Sequence, residues 1–169
     1  MSTLARLVGE FDRRFAAAKL ARGVLDFHDL ERYAFRALQD PSAPSGVLRP
    51  SALALGLTGR FREILVDEYQ DINPLQEALL CLLAGAGGEE GPSAFFVGDV
   101  KQSIYRFRLA EPLIFLRRYH TLAAAGARAG PQGAGGRAGR ACLFHLPTNF
   151  RSRRPVVDGI NFLFRQLMH

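Results

Sequence analysis

The sequence predicts an α/β fold, helical over about its first 60 residues and built on parallel strands after that. Three observations predict it. Apolar residues recur at helical spacing near the N-terminus. Two short, continuous apolar runs, Ile64-Leu65-Val66 and Ala94-Phe95-Phe96-Val97, each end abruptly in acidic or glycine residues. A capped amphipathic helix lies between those runs, and strand, helix, strand in that order is a parallel crossover unit.

The elements follow in order. Leu4, Leu7, Val8, Phe11 and Phe15 fall on one helical face with charged residues opposite, which predicts a first amphipathic helix. Asp26 can cap a second, whose apolar side carries Leu30, Tyr33, Ala34 and Leu38 and which stops before Pro41. Asp40 to Pro50 has the proline, serine and glycine content of a loop, and a short helix is expected over Ser51 to Leu57. Ile64 to Val66 suits a strand buried on both faces of a parallel sheet. Asn73, Pro74 and Gln76 form a helix start, with Leu75, Leu79, Leu82 and Leu83 as the buried stripe and Gly85 as a stop. After a loop from Gly87 to Pro92, Ala94 to Val97 is the second buried strand, and Pro112 to Leu122 reads as a helix. Gly126 to Gly139 is Ala, Gly and Arg without large apolar side chains, which predicts a flexible surface insertion. A third strand is expected over Cys142 to Leu146. A final helix carries Val156, Ile160, Leu163, Phe164 and Leu167 on a face that needs a partner.

With 48% hydrophobic residues the chain can bury a core, and its 22% charged residues are too few for a disordered tail. The basic residues are almost all arginine, since only Lys19 and Lys101 are lysines, and the formal charge is +6. This balance favours a polyanionic partner such as nucleic acid, although an Arg-, Ala- and Gly-rich composition arises equally from codon bias. Cys81 and Cys142 lack the paired spacing of metal or redox sites, which fits a reducing cytoplasm. Arg6, Glu10, Asp12, Arg13 and Arg14 interrupt the N-terminal region, so it is neither a signal peptide nor a membrane span, and a soluble protein is expected.

The chemistry is concentrated in two segments. In Ile64-Leu65-Val66-Asp67-Glu68-Tyr69-Gln70-Asp71, adjacent carboxylates stand at the C-terminal end of a strand, where open α/β sheets place their ligands. Two acids there can divide phosphoryl transfer, Asp67 holding Mg²⁺ through its water shell and Glu68 orienting or deprotonating the attacking water. Taken alone, an Asp-Glu pair equally well ends a strand in solvent. The second segment, Val97-Gly98-Asp99-Val100-Lys101-Gln102-Ser103-Ile104-Tyr105-Arg106-Phe107-Arg108, follows the neighbouring strand. Gln102 can contact a γ-phosphate, Tyr105 and Phe107 can stack on unpaired bases, and Arg106 and Arg108 can meet phosphates. The competing reading of the two aromatics is core packing, and their place between arginines argues for a surface.

Val66-Asp67-Glu68-Tyr69-Gln70-Asp71, Gly98-Asp99-Val100-Lys101-Gln102-Ser103-Ile104-Tyr105-Arg106-Phe107-Arg108 and Asn149-Phe150-Arg151-Ser152, in this order, resemble motifs II, III and IV of the UvrD/Rep-like superfamily 1 DNA helicases. The run through Leu109-Ala110-Glu111-Pro112, with Val24-Leu25-Asp26-Phe27-His28-Asp29-Leu30 upstream, is most similar to the AddA family of helicase-nucleases. Simple UvrD/Rep enzymes usually show aspartates where Val100 and Lys101 stand. The resemblance implies a partial RecA-like P-loop NTPase domain with a parallel sheet, using ATP and Mg²⁺ to move on single-stranded DNA in the 3' to 5' direction, within DNA-end processing and recombinational repair. It assigns Asp67 to Mg²⁺, Glu68 to the catalytic water, Gln70 to the neighbourhood of the nucleotide, and Gln102 to sensing the γ-phosphate. It gives Tyr105 and Phe107 to single-stranded bases, although Phe107 replaces a common tryptophan, and Arg108 to the DNA path or to coupling. Arg151 becomes an arginine finger approaching from the neighbouring domain, and Phe150 replaces the usual tyrosine against adenine. The alternative for Arg151, beside Arg153 and Arg154, is a plain surface arginine. An AddB-like protein is the implied partner, with no membrane.

The resemblance divides the chain into a helical segment over 1–60, a RecA-like part over 61–147 and the start of a second motor domain over 148–169. A phosphate-binding loop needs Gly-x-x-x-x-Gly-Lys-Ser/Thr, and neither Lys19 nor Lys101 completes that pattern. The expectation is therefore a piece of a longer motor, without ATPase activity of its own. Two other classes compete: a non-catalytic single-stranded nucleic-acid-binding module, and a docking module that uses the final apolar helix to hold a partner protein.

Overall fold

A computed structural model describes residues 3–84, 92–124 and 142–168. The insertion expected over Gly126 to Gly139 and the stop expected at Gly85 lie outside the described residues. The chain divides into two compact units, Met1–Thr121 and Leu122–His169.

In the first unit, α1 spans Thr3–Arg22 and α2 spans Phe27–Leu38. Asp26 caps α2 by accepting the Asp29 N–H at 2.9 Å, and the Asp29 carboxylate returns the contact to the Asp26 N–H at 3.1 Å. This reciprocal box satisfies two N–H groups that a helix start leaves free. Lys19 fastens α1 to it, with its ammonium 2.9 Å from Asp26 and 2.6 Å from Asp29. Hydrogen bonds to Asp29 and then Asp26 raise the Lys19 pKa, and the same contacts hold both carboxyls below their ordinary range.

The loop after α2 folds back on itself. Gln39 pairs with Pro50 in an isolated antiparallel bridge, its side-chain amide donates to the Val47 carbonyl at 2.8 Å, and Arg49 bridges to Asp40 at 2.8 Å. This closure delivers Ser51, whose hydroxyl donates to the Ala37 carbonyl at 2.7 Å and accepts the Ala54 N–H, capping α3 (Ala52–Thr58). Strand β1 (Glu63–Val66) then leads to α4 (Pro74–Ala84) and β2 (Ser93–Phe96), and α5 covers Pro112–Ala124. The strands pair in parallel, with Ile64 opposite Ala94 and Val66 opposite Phe96, so the crossover unit expected from the sequence is present.

Helices α2, α3 and α4 pack around Leu38, Ala54 and Leu82, with Phe35, Leu57, Leu79 and Leu83 against them. The Thr58 hydroxyl donates to Ala54 O at 2.9 Å and lies 3.1 Å from Leu83 O, joining the ends of α3 and α4. The packed side of α2 differs from the one expected. It carries Phe35, Leu38 and Glu31, while Leu30 and Tyr33 are exposed. A charged residue can sit there because Glu31 accepts the side-chain amides of Gln76 at 2.7 Å and Asn73 at 3.2 Å. Those two residues form the box that starts α4, each accepting the other's backbone N–H.

Three other expectations are corrected. Leu65 and Phe95 are 71% and 53% exposed, so the strands are not buried on both faces, because among the described residues they pair only with each other. The apolar stripe of α1 has no buried residue. Residues 142–146 form no strand: Leu143 makes a single bridge and the segment lacks a strand neighbour among the described residues.

In the second unit, α6 spans Arg154–Leu167, with Arg153 as its cap residue and a proline in its first turn. Val156, Ile160, Leu163, Phe164 and Leu167 are all exposed. Among the described residues no helix is long and apolar enough to cross a membrane.

Candidate nucleotide and nucleic-acid site

Parallel pairing of β1 and β2 brings the two chemical segments to one end of the sheet. The ladder continues past the strands, Val97 N–H donating to Val66 O at 2.8 Å and Tyr69 N–H to Val97 O at 2.9 Å. The chain after Asp67 is therefore bound directly to the chain before Gly98. Asp67 and Glu68 are both exposed at this end. Glu68 has φ +49°, in the left-handed region that non-glycine residues seldom adopt, and its N–H is taken by the Asp67 carboxylate at 2.9 Å. This turn lets Tyr69 and Gln70 go inward while both carboxylates face out.

Gln70 is 1% exposed, and its carboxamide is fully engaged. The amide nitrogen donates to Glu68 Oε2 at 2.7 Å and to Asp71 Oδ2 at 3.2 Å, and the amide oxygen accepts the Asp99 N–H at 3.0 Å. Gly98 is needed for this approach. A Cβ there would stand 2.6 Å from Gln70 Oε1, 3.1 Å from a Phe115 ring carbon and 3.2 Å from the Gln70 backbone nitrogen. The family resemblance puts Gln70 near the nucleotide; the structure places it beneath Glu68, touching both segments.

The turn after Gly98 is held by Asp99, which accepts the Lys101 N–H at 3.0 Å and the Gln102 side-chain amide at 3.2 Å. Burial pushes the Asp99 carboxyl up, but these bonds and the Lys101 ammonium at 3.2 Å outweigh it and hold it below the ordinary carboxylate range. Gln102 is exposed and reaches the acidic pair through Asp99 and Gln70.

A tight turn at 106–108 then presents the aromatics. Phe107 is 76% exposed and Tyr105 38%, with their rings 6.0 Å apart and the Arg108 guanidinium 5.2 Å from Tyr105 and 5.5 Å from Phe107. Neither ring is core, so the packing alternative does not hold for this pair. Leu109, at φ +67°, ends the turn, and the Glu111 N–H donates to Ile72 O at 2.9 Å, fixing the far end of the segment to the chain after Asp71.

Phe150 and Arg151 belong to the second unit. Asn149 Oδ1 accepts the N–H groups of Arg151 at 2.9 Å and Ser152 at 3.0 Å, a side-chain-closed turn that leaves Phe150 and Arg151 exposed ahead of α6.

Sequence reasoning misses the buried group that anchors Tyr69. Its hydroxyl donates to Glu77 at 2.8 Å and accepts from Arg118 Nε at 2.8 Å, while Arg118 also bonds Glu77 and lies 4.3 Å from the Phe96 ring centroid. Burial, then the Glu77 contact, pushes the phenol above its ordinary value, so it stays a proton donor. No local pattern joins residues 69, 77 and 118. Asp99 carries a readable signal, since it lies in one of the two segments that concentrate the chemistry, but its role as a turn brace emerges only in the fold.

Among the described residues, no group of three or more His, Cys, Asp or Glu side chains could hold a metal ion. That suits Mg²⁺ better than a dedicated protein cage, because Mg²⁺ keeps several waters and is usually held by one or two carboxylates together with substrate phosphates. Asp67, exposed at the strand end, fits such a ligand.

Comparison with known proteins agrees in kind. Residues 2–123 match the UvrD/REP helicase N-terminal domain. The chain is 51% identical over 166 residues to the AddA-type ATP-dependent helicase/nuclease protein of Pelotomaculum thermopropionicum, covering 98% of this chain and 12% of that protein. Proteins of the same description from Moorella thermoacetica and Geobacillus kaustophilus are 49% and 47% identical, over 99% of this chain and 11% and 13% of theirs. The chain thus spans about an eighth of the length of the curated relatives it matches. With acidic strand end, glutamine turn and aromatic turn joined at one sheet edge and this match over most of its length, the chain belongs to the UvrD/REP helicase N-terminal domain family.

Proposed function

We propose that this chain supplies motifs II, III and IV of an AddA-type, ATP-dependent helicase that moves on single-stranded DNA in DNA-end processing and recombinational repair. One observation carries the reading: Gln70 joins the exposed Asp67–Glu68 pair to the segment bearing Gln102, Tyr105 and Phe107. Nucleotide chemistry and strand binding thereby share one braced edge. Residues 61–147 belong to a RecA-like core, 1–60 to the helices before it, and 148–169 to the start of a second motor domain.

Asp67 would hold Mg²⁺ through its water shell, and the bound ion would neutralise charge on the β- and γ-phosphates. Glu68, solvent-facing and fixed by Gln70, accepts the proton of the attacking water. Gln102 meets the γ-phosphate side, Tyr105 and Phe107 offer their faces to bases, and Arg108 braces both rings. Phe150 packs against adenine and Arg151 serves as the arginine finger. An AddB-like protein is the partner implied. Residues 1–169 include no phosphate-binding loop, so this segment alone is expected to turn over no ATP.

The deciding experiment is Glu68→Gln in the full-length motor that carries this segment. The amide keeps the shape and cannot take the proton, so nucleotide binding is retained while hydrolysis falls by roughly 10²–10⁴-fold. Equal losses in binding and turnover would refute the assignment.

A further inference from the structure

Resting on that reading, we propose that Gln70 is a positioning residue, the central link of a hydrogen-bonded chain Gln102–Asp99–Gln70–Glu68 through which the DNA-binding segment sets the orientation of the water-activating carboxylate. Each link is present: Gln102 Nε2 to Asp99 Oδ2 at 3.2 Å, Asp99 N–H to Gln70 Oε1 at 3.0 Å, and Gln70 Nε2 to Glu68 Oε2 at 2.7 Å.

The links differ in stiffness, and that makes the chain directional. Gln102 is exposed and free to follow a ligand, whereas Gln70 is enclosed, with Gly98 so close that its amide oxygen has no room on that side. The second proton of Gln70 Nε2 is held by Asp71, so the carboxamide cannot swing without breaking several bonds together. A shift of the Asp99 turn must therefore carry Gln70 with it or leave a buried N–H unpaired. Glu68 feels that shift, because its backbone is pinned in the left-handed region and the Gln70 amide is the one side-chain donor on its carboxylate among the described residues. The far end of the segment is fixed independently, by Glu111 N–H on Ile72 O, so a base pressing on Phe107 moves a segment tethered at both ends.

The test uses the full-length motor protein carrying this segment, with ATP hydrolysis measured with and without a single-stranded oligonucleotide. Gln70→Met keeps volume and removes both links. It is expected to lower kcat about tenfold to a hundredfold with KM for ATP within about twofold, and to bring the DNA stimulation ratio toward one. Gln70→Glu, which keeps an acceptor for Asp99 N–H and loses the donor to Glu68, should show the same loss and decides the matter if the first variant does not fold. Combined with Gln102→Ala, Gln70→Met should lose no more stimulation than the more affected single variant, because one chain can be cut only once. Intact stimulation in Gln70→Met or Gln70→Glu, or losses that multiply in the double variant, would overturn the chain of coupling. A wild-type protein without ATP turnover, or Glu68→Gln without effect, would instead overturn the motor reading on which it rests.

Discussion

Replacing Gly98 with alanine tests the joint between the two segments without touching either ligand-facing surface. Gly98 is not a left-handed glycine, so backbone strain is not what excludes a side chain. Space excludes it: the added Cβ would lie 2.6 Å from Gln70 Oε1, where ordinary contact begins near 3.4 Å. The amide oxygen must retreat by 3.4 − 2.6, or about 0.8 Å, and if it moves along the bond its 3.0 Å contact with Asp99 N–H stretches to about 3.8 Å, beyond hydrogen-bonding range. Rotation elsewhere offers little relief, since the Phe115 ring at 3.1 Å and the Gln70 backbone nitrogen at 3.2 Å close the other directions. Overpacking and a stranded buried N–H together cost about 2–4 kcal/mol. Urea denaturation followed by circular dichroism measures this, with Gly9→Ala as the matched control. Gly9 lies inside α1 with nothing within 4 Å of a built Cβ, so alanine there should gain roughly 0.5–1 kcal/mol. In a Gln70→Ala background the Gly98→Ala penalty should shrink by about 1 kcal/mol or more, because the closest clashing atom is gone. A Gly98→Ala protein as stable as the parent, or a penalty unchanged by removing Gln70, would show that the close packing described is not what the sequence enforces.

Two other perturbations address separate parts. Phe107→Ala should weaken single-strand binding by about 1–3 kcal/mol, the worth of one stacked base, because its ring is the more exposed of the pair; fluorescence anisotropy with a labelled oligonucleotide reads this, and the urea midpoint should not move. Lys19→Met should lower the melting temperature and flatten its pH dependence at both extremes. Asp26 and Asp29 have folded pKa values below their ordinary 3.8, so their stabilisation is present above that value and lost as pH falls through the depressed values. Lys19 has a folded pKa above 10.5, so its stabilisation is complete below 10.5 and lost as pH rises through the raised value. Melting curves of Lys19→Met that parallel the parent's at every pH would refute the clamp.

What the sequence determined by itself was what hydrogen bonds and periodicity over a few residues can encode. The Asp26 box and the Asn73–Gln76 box, the helix start at Ser51, the two apolar runs and the parallel crossover between them all follow from short stretches of chain. The motif segments were legible for the same reason, being continuous runs whose residue types carry their chemistry. Tertiary structure decided what those segments do to one another. It chose Glu31, Phe35 and Leu38 over Leu30 and Tyr33 as the packed side of α2, because the amides offered at the start of α4 lie on that side. It turned Gln70 inward to meet an N–H 29 residues away, and enclosed Tyr69 with a glutamate 8 and an arginine 49 residues distant. It also withheld the third strand, since a strand forms only where a neighbour offers its backbone, and residues 142–146 have none among those described. Spacing along the chain specifies an element, but which side chain is buried and which carboxylate is held depends on what the crossover brings alongside it.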